Sequence, residues 1–402
     1  MSRPLVEVAD IFKEHIRDYR QTYGMPKEHY KIVYDILSCR TSYLGGHVEQ
    51  CDHCGEERVA YNSCCNRHCP KCQCLAKERW LEKRKMELLP VRYFHTVFTV
   101  PHEVNPLMLC NKRVMLNNLF KAVSETLLQF GQNPKNRLGG RLGCILFLHT
   151  WDQKLMDHFH VHCLIPGGVL SNDGKQWMSC SRDYLFPEKA LCRVFRGKFM
   201  AKLKQSRSQN ELIFPGNTKE LGSKSGFKKL VHALWSKNWV VDIKDPMDKP
   251  EQVLEYVGRY THRVAISNNR IVSLEKGKVT FLYKDREKQI TRRMTIDAVE
   301  FIRRFLLHAL PKKFMRIRHI GFLANRCKKE NLETCRELLG VSGICPPSDK
   351  SVQEMMLKLT GKDILLCPRC KKGQFEVIKT IPEQTGVNPF DTIHPPELRR
   401  SG

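Results

Sequence analysis

Eight of the chain's 18 cysteines crowd between Cys39 and Cys74. Inside that block, HVEQCDHCGEERVAYNSCCNRHCPKCQC holds two pairs of knuckle spacing, Cys51-x2-Cys54 and Cys69-x2-Cys72, with 14 residues between them. Each pair can present two thiolates to one ion at about 2.3 Å, and two pairs close a tetrahedron. Tetrahedral thiolate sites favour zinc over magnesium or calcium. The N-terminus, MSRPLVEVADIFKEH, has no apolar stretch followed by a small-residue cleavage site. Metal binding is therefore the better reading than a secreted disulfide framework. The spacing predicts a zinc site at Cys51, Cys54, Cys69 and Cys72. His47, Cys64, His68 and Cys74, with Cys65 beside them, form a candidate second set, or else His68 and Cys64 support the first.

Charge narrows the partners. The 402 residues carry 68 Lys+Arg against 42 Asp+Glu, a formal net charge of +26. By segment the excess is +2 over 1–90, +7 over 91–200, +10 over 201–310 and +7 over 311–402. A basic surface of this size points to nucleic acid or an anionic membrane. No Lys/Arg-rich amphipathic helix stands out, which favours nucleic acid. With 41% hydrophobic and 27% charged residues the chain reads as folded, not disordered. Its longest apolar runs are far short of the about 20 residues that span a bilayer. A closed four-thiolate site does no hydrolysis, so its expected use is to present Arg67, Lys71, Lys77 and Arg79 to DNA.

The pattern along the chain is mixed. Apolar spacing predicts helices within 5–39, at 75–89, over 106–130 and near 295–309. YFHTVFTV at 93–100 and the segments 142–150 and 158–165 read as strands. RIVSLEKGKVTFLYK reads as a hairpin turning at Lys276 and Gly277. Residues 203–226 read as an exposed insertion, and Pro250 opens a helix containing YVGRYTHR.

Two further constellations carry chemistry. On a strand through DHFHVHC, alternate side chains share a face, so His158, His160 and His162 point one way. His149 lies on the preceding strand, eleven residues before His160. A hairpin can bring it alongside. Three imidazoles with open coordination positions can bind a divalent ion and still accept substrate oxygens. In YVGRYTHR, Tyr256 and Tyr260 are one helical turn apart on one face. A phenol can attack a DNA phosphate and become attached to it, with a metal offsetting the charge on the phosphate oxygens.

Together these motifs resemble a known family. The His160-Val161-His162 strand followed by a tyrosine helix looks like the HUH single-strand endonucleases. The chain order of cysteine block, FHTVFTVP, HFHVHCLIPGG, YVGRYTHRVAISNNRI and RIRHIGFLANR is similar to the two-tyrosine transposases of the insertion sequence 91 family. The resemblance implies an α+β fold. An HUH-type nuclease domain with a central antiparallel sheet and flanking helices would occupy 91–310. A helical zinc-binding domain would precede it at 1–90, and a basic region would follow at 311–402. There Cys367-x2-Cys370 reads as half a metal site, with Cys327, Cys335 or Cys345 as partners. The implied activity is nicking of single-stranded DNA at element ends through a 5′-phosphotyrosine, then strand joining by rolling-circle-type transposition. His149, His160 and His162 would hold Mg²⁺ or Mn²⁺, Tyr256 and Tyr260 would be the nucleophiles, and Arg259 and Arg263 would contact phosphate. Zn²⁺ would be structural. The expected setting is the bacterial cytoplasm at the nucleoid, with element termini and target DNA as partners and no membrane.

Other functions fit fewer of these residues. A plasmid relaxase or rolling-circle replication initiator shares the chemistry, but relaxases often carry a helicase, and no GxxxxGK[ST] phosphate loop is present. A non-catalytic zinc-finger DNA-binding protein explains the cysteines and charge and gives no reason for His149, His160, His162 and Tyr256. A zinc hydrolase would use the histidines and leave the tyrosines and the net charge idle.

Overall fold

The computed structural model describes residues 4–181, 185–249, 264–285, 288–341 and 351–384. Gln252, Val253, Glu255 and Gly258 are described between these stretches.

Its centre is an antiparallel sheet built on three long strands: β3 (Tyr93–Thr99), β4 (Arg141–Trp151) and β5 (Asp157–Pro166). The strands β6 (Gly168–Leu170) and β7 (Trp177–Ser179) extend it beyond β4, and β8 (Val240–Met247) forms the other edge, in the order β7-β6-β4-β5-β3-β8. A late strand, Ile317–Gly321, also pairs with β4, Ile317 opposite Phe147. Because side chains alternate along each strand, register decides what each face carries. His149 stands opposite His160, and Val97 opposite His162. That puts Leu146, Leu148, Phe159, Val161 and Cys163 on the other face. There they form the main core with helices α5 (Lys112–Gln132), α6 (Glu188–Ser208) and α7 (Lys224–Ser236). In α5 the buried Met115, Leu119, Val123 and Leu127 recur at helical spacing, so one stripe faces the sheet. Burying each such side chain is worth about 1.5–3 kcal/mol.

The histidine face is covered by a smaller core. Tyr93, Ile145, Phe147 and Leu164 meet Leu89, Phe322 and Val253, with Trp80 and Leu81 of helix α3 (Gln73–Lys85) packed against them. Trp80 meets Phe147 edge-on with ring centroids 5.9 Å apart.

A third core joins distant parts of the chain. Helices α1 (Val8–Tyr23) and α2 (Lys27–Ser38) supply Ile11, Phe12, Ile16 and Val33. The meander β9 (Ile271–Glu275), β10 (Lys278–Asp285) and β11 (Ile290–Asp297) supplies Val279 and Phe281, and the helix Ala298–Leu307 supplies Phe301 and Phe305. Phe12 meets Phe305 edge-on at 5.5 Å. A three-stranded sheet of β1 (Gly46–Cys51), β2 (Glu57–Tyr61) and Phe375–Ile381, ordered with β1 in the middle, completes the fold.

The strands, the helices and the hairpin turn at Lys276–Gly277 lie close to their predicted positions. The segment 203–226 is mostly exposed, as expected, and it is tied into the helical layer. It ends α6, makes a 3-10 turn at Gly216–Gly222 and starts α7, burying Leu203 and Leu212 in the main core. The helix expected from Pro250 lies largely outside the described residues.

Candidate active site

Hydrogen bonding between β4 and β5 fixes the register that sets His149 beside His160. The ligand atoms of His149, His160 and His162 all lie within 4.8 Å of one another, and all three side chains are buried. Their ring centroids are 4.6 Å (His149–His162), 4.8 Å (His160–His162) and 5.3 Å (His149–His160) apart. His158 shares the face, 4.7 Å from His160, and stands outside the trio. Burying a polar ring without compensation costs about 1–3 kcal/mol, so three converging imidazoles need bonds that repay it.

Two such bonds fix ring orientation. The Nδ1 of His160 lies 2.8 Å from the His158 carbonyl oxygen, so it is the protonated nitrogen, and Nε2 carries the lone pair. The Nδ1 of His162 lies 2.8 Å from Nε2 of His95, a buried residue of β3. Burial holds His95 down to about 3 against the opposing pull of Asp242, so His95 itself is neutral. Outer partners of this kind commonly orient metal-binding imidazoles. Reasoning from sequence missed His95. Its signal was there in FHTVFT, because a strand paired in this register sets His95 on the histidine face.

Tyr256, Tyr260, Arg259 and Arg263 lie outside the described residues. Two residues close to them in the chain, Val253 and Gly258, are described. Val253 is buried against Tyr93, Ile145 and Leu164, on the histidine face. Gly258 backs onto α3, where an added Cβ would come 3.0 Å from Leu81.

The cysteines do not form the expected single site. The two knuckle pairs separate. Cys69 and Cys72 join Cys39 and Cys64, with Sγ atoms of Cys39 and Cys64 at 3.5 and 3.6 Å from that of Cys72. Cys51 and Cys54 join Cys367 and Cys370 instead. The reason is topological: Cys51 ends β1, whose other edge pairs with Phe375–Ile381, so the C-terminal knuckle arrives beside the first one. In the candidate second set only Cys64 is a ligand candidate. His47 meets Glu49 at 2.9 Å, and burial holds the deeply placed His68 down to about 3. Cys65 is exposed with its thiol near Ser63, and the Cys74 side chain lies outside the described residues. Of the partners expected for Cys367 and Cys370, Cys327 bonds the Ala324 carbonyl, Cys335 packs in the histidine-face core, and Cys345 lies outside the described residues.

Two expected DNA contacts are engaged elsewhere. The Arg67 guanidinium donates to the carbonyls of Leu310, Pro311 and Phe314, and Lys71 pairs with Glu7 at 2.6 Å. Among the described residues no helix is long and apolar enough to cross a membrane.

Comparison with known proteins matches this arrangement in two blocks. Residues 11–100 match the family described as "Transposase zinc-binding domain", and residues 143–331 match the family described as "Putative transposase". The chain is 44% identical over 391 residues to the "Putative transposase y4qJ" of Sinorhizobium fredii, covering 96% of this chain and 98% of that one. It is 27% identical over 354 residues to the "Transposase for insertion sequence element IS801" of Pseudomonas savastanoi pv. phaseolicola, covering 84% and 80%. Cysteine clusters, sheet and relatives agree: the chain belongs to the insertion sequence 91 family of transposases and carries that family's zinc-binding domain.

Proposed function

We propose that this transposase nicks single-stranded DNA at element ends through a covalent tyrosine intermediate and joins strands by rolling-circle-type transposition. The observation that carries the reading is the buried trio of His149, His160 and His162, with two rings oriented by His158 and His95. A Mg²⁺ or Mn²⁺ ion held there would polarise the scissile phosphate and offset charge on its oxygens. The phenolic oxygen of Tyr256 or Tyr260 attacks phosphorus and loses its proton. The bond from phosphorus to the 3′ oxygen breaks, the 3′ hydroxyl leaves, and the 5′ phosphate stays on the tyrosine. A free 3′ hydroxyl reverses the step at a target. Two nucleophiles allow one strand end to be held while another is captured. Arg259 and Arg263 are the proposed phosphate contacts. The burial of Val253, three residues before Tyr256, on the histidine face supports this reading.

The test is incubation of the purified chain with single-stranded terminal DNA and Mn²⁺ or Mg²⁺. The expected product is a protein–DNA adduct that survives denaturing gels. Tyr256→Phe combined with Tyr260→Phe should abolish it while DNA binding persists. Adduct in the double variant, or free ends with no adduct in the parent, would overturn the proposal.

A further inference from the structure

The cysteines at the two ends of the chain form a cluster of their own. Cys51 and Cys54 flank the turn between β1 and β2. Cys367 and Cys370 sit in a second knuckle, 319 residues from Cys51 in the case of Cys370 and 313 residues from Cys54 in the case of Cys367. The Sγ atoms of each of these pairs are 3.7 Å apart, and all four lie within 4.8 Å of one another. A disulfide would need about 2.05 Å. Four thiolates about 2.3 Å from a shared ion are about 3.8 Å apart along each edge of the tetrahedron. The spacing fits a metal site and not a cross-link.

Backbone geometry supports a built site. The Asp52 N–H donates to the Gln374 carbonyl at 3.0 Å, and the Gln374 N–H donates to the Asp52 carboxylate at 2.8 Å. The two knuckles are thus laced together across the cluster. The Gly373 N–H lies 3.4 Å from the Cys370 Sγ, as expected for a donor to thiolate charge. Gly373 is tightly enclosed: an added Cβ would lie 2.3 Å from Asp52 Oδ1 and 2.6 Å from the Cys51 Sγ.

The surrounding module cannot stand on apolar burial. Its buried core is Cys51, Cys367 and Phe375, with Cys370 packed against them. Val59, Val377 and Ile378 are all exposed. A three-stranded sheet with so small a core needs a metal or a cross-link to hold its fold.

We infer that the chain holds a second zinc ion at Cys51, Cys54, Cys367 and Cys370, a clasp that fastens the C-terminal segment onto the N-terminal zinc-binding domain. It is distinct from the cluster of Cys39, Cys64, Cys69 and Cys72, which lies wholly within residues 11–100. The clasp holds the helix Val352–Thr360 over α3, where Lys358 meets Glu78 at 3.5 Å and Glu82 at 3.4 Å. The inference stands apart from the nicking reaction.

Metal analysis of the purified full chain tests it. Cys367→Ser with Cys370→Ser should bind one zinc fewer per chain than the parent. In the parent, Cys51, Cys54, Cys367 and Cys370 should resist alkylation together and become reactive together when a chelator is added. This footprint needs no variant to fold. Unchanged zinc content in the double variant, iron in place of zinc, or alkylation of Cys367 and Cys370 at the same rate with and without chelator would overturn the clasp.

Discussion

His95 shows how one residue outside the imidazole trio can orient it. Its Nε2 meets His162 Nδ1 at 2.8 Å, fixing which nitrogen of His162 points at His149 and His160. Loss of such a partner commonly costs about 10–100-fold in metal affinity. His95→Ala is expected to weaken Mn²⁺ binding by that factor in a calorimetric titration, with the fold intact by circular dichroism. Unchanged affinity would make His95 a packing residue only. A second histidine gives a pH signature. Burial holds His319 down to about 4, where it receives a hydrogen bond from Arg84 at 3.2 Å. An imidazole lowered in the folded state takes up its proton first in the unfolded chain. Its contribution is complete above about pH 6.5 and falls away as pH drops toward about 4. The urea midpoint should therefore fall between about pH 7.5 and about pH 5, and His319→Gln should shrink that fall. An equal fall in both proteins would contradict this account of His319.

Elements were legible where one physical rule dominated. The alternation in HFHVHC located β5 and its histidine face, and the apolar stripe of α5 located that helix. Residues 203–226 are mostly exposed, as their polar composition suggests, and their anchoring was not legible because it rests on a few residues such as Leu203, Leu212 and Thr218. The cysteine pairing failed for a different reason. Knuckle spacing shows that two thiolates share an ion, and says nothing about where the other two come from. Cys39, alone at the end of α2, and Cys367 with Cys370, about three hundred residues away, are supplied by topology. A further test sits at the end of the strand Ile317–Gly321. Gly321 has φ +64°, and an added Cβ would lie 1.5 Å from the Leu142 carbonyl oxygen. Gly321→Ala must distort the pairing with β4 and should cost several kcal/mol, of order 3 or more, in chemical denaturation. A loss below about 1 kcal/mol would mean the strand end can shift freely.

At the scale of the molecule, sequence reading reached the family, the mixed fold and the histidine trio, because each rests on motifs that are short and ordered along the chain. What it could not reach is how the ends meet. The core of α1 and α2 with residues 265–309, the strand Ile317–Gly321 on β4, and Phe375–Ile381 on β1 all join segments remote in the chain. A net charge of +26 on such a body should make DNA binding strongly salt-dependent, with the logarithm of affinity falling linearly against the logarithm of salt concentration. A flat response in a titration from about 50 to about 200 mM salt would remove phosphate neutralisation from the account.

The central claim is that the imidazole trio and a tyrosine of the 256–260 segment act on one phosphodiester. The most direct measurement is digestion of the denatured protein–DNA adduct followed by mass spectrometry of the DNA-bearing peptide. The account predicts a single phosphodiester linkage on Tyr256 or Tyr260, formed only with a divalent ion and lost in His160→Ala with His162→Ala. A linkage on any other residue, or an adduct that forms unchanged without the two histidines, would contradict it.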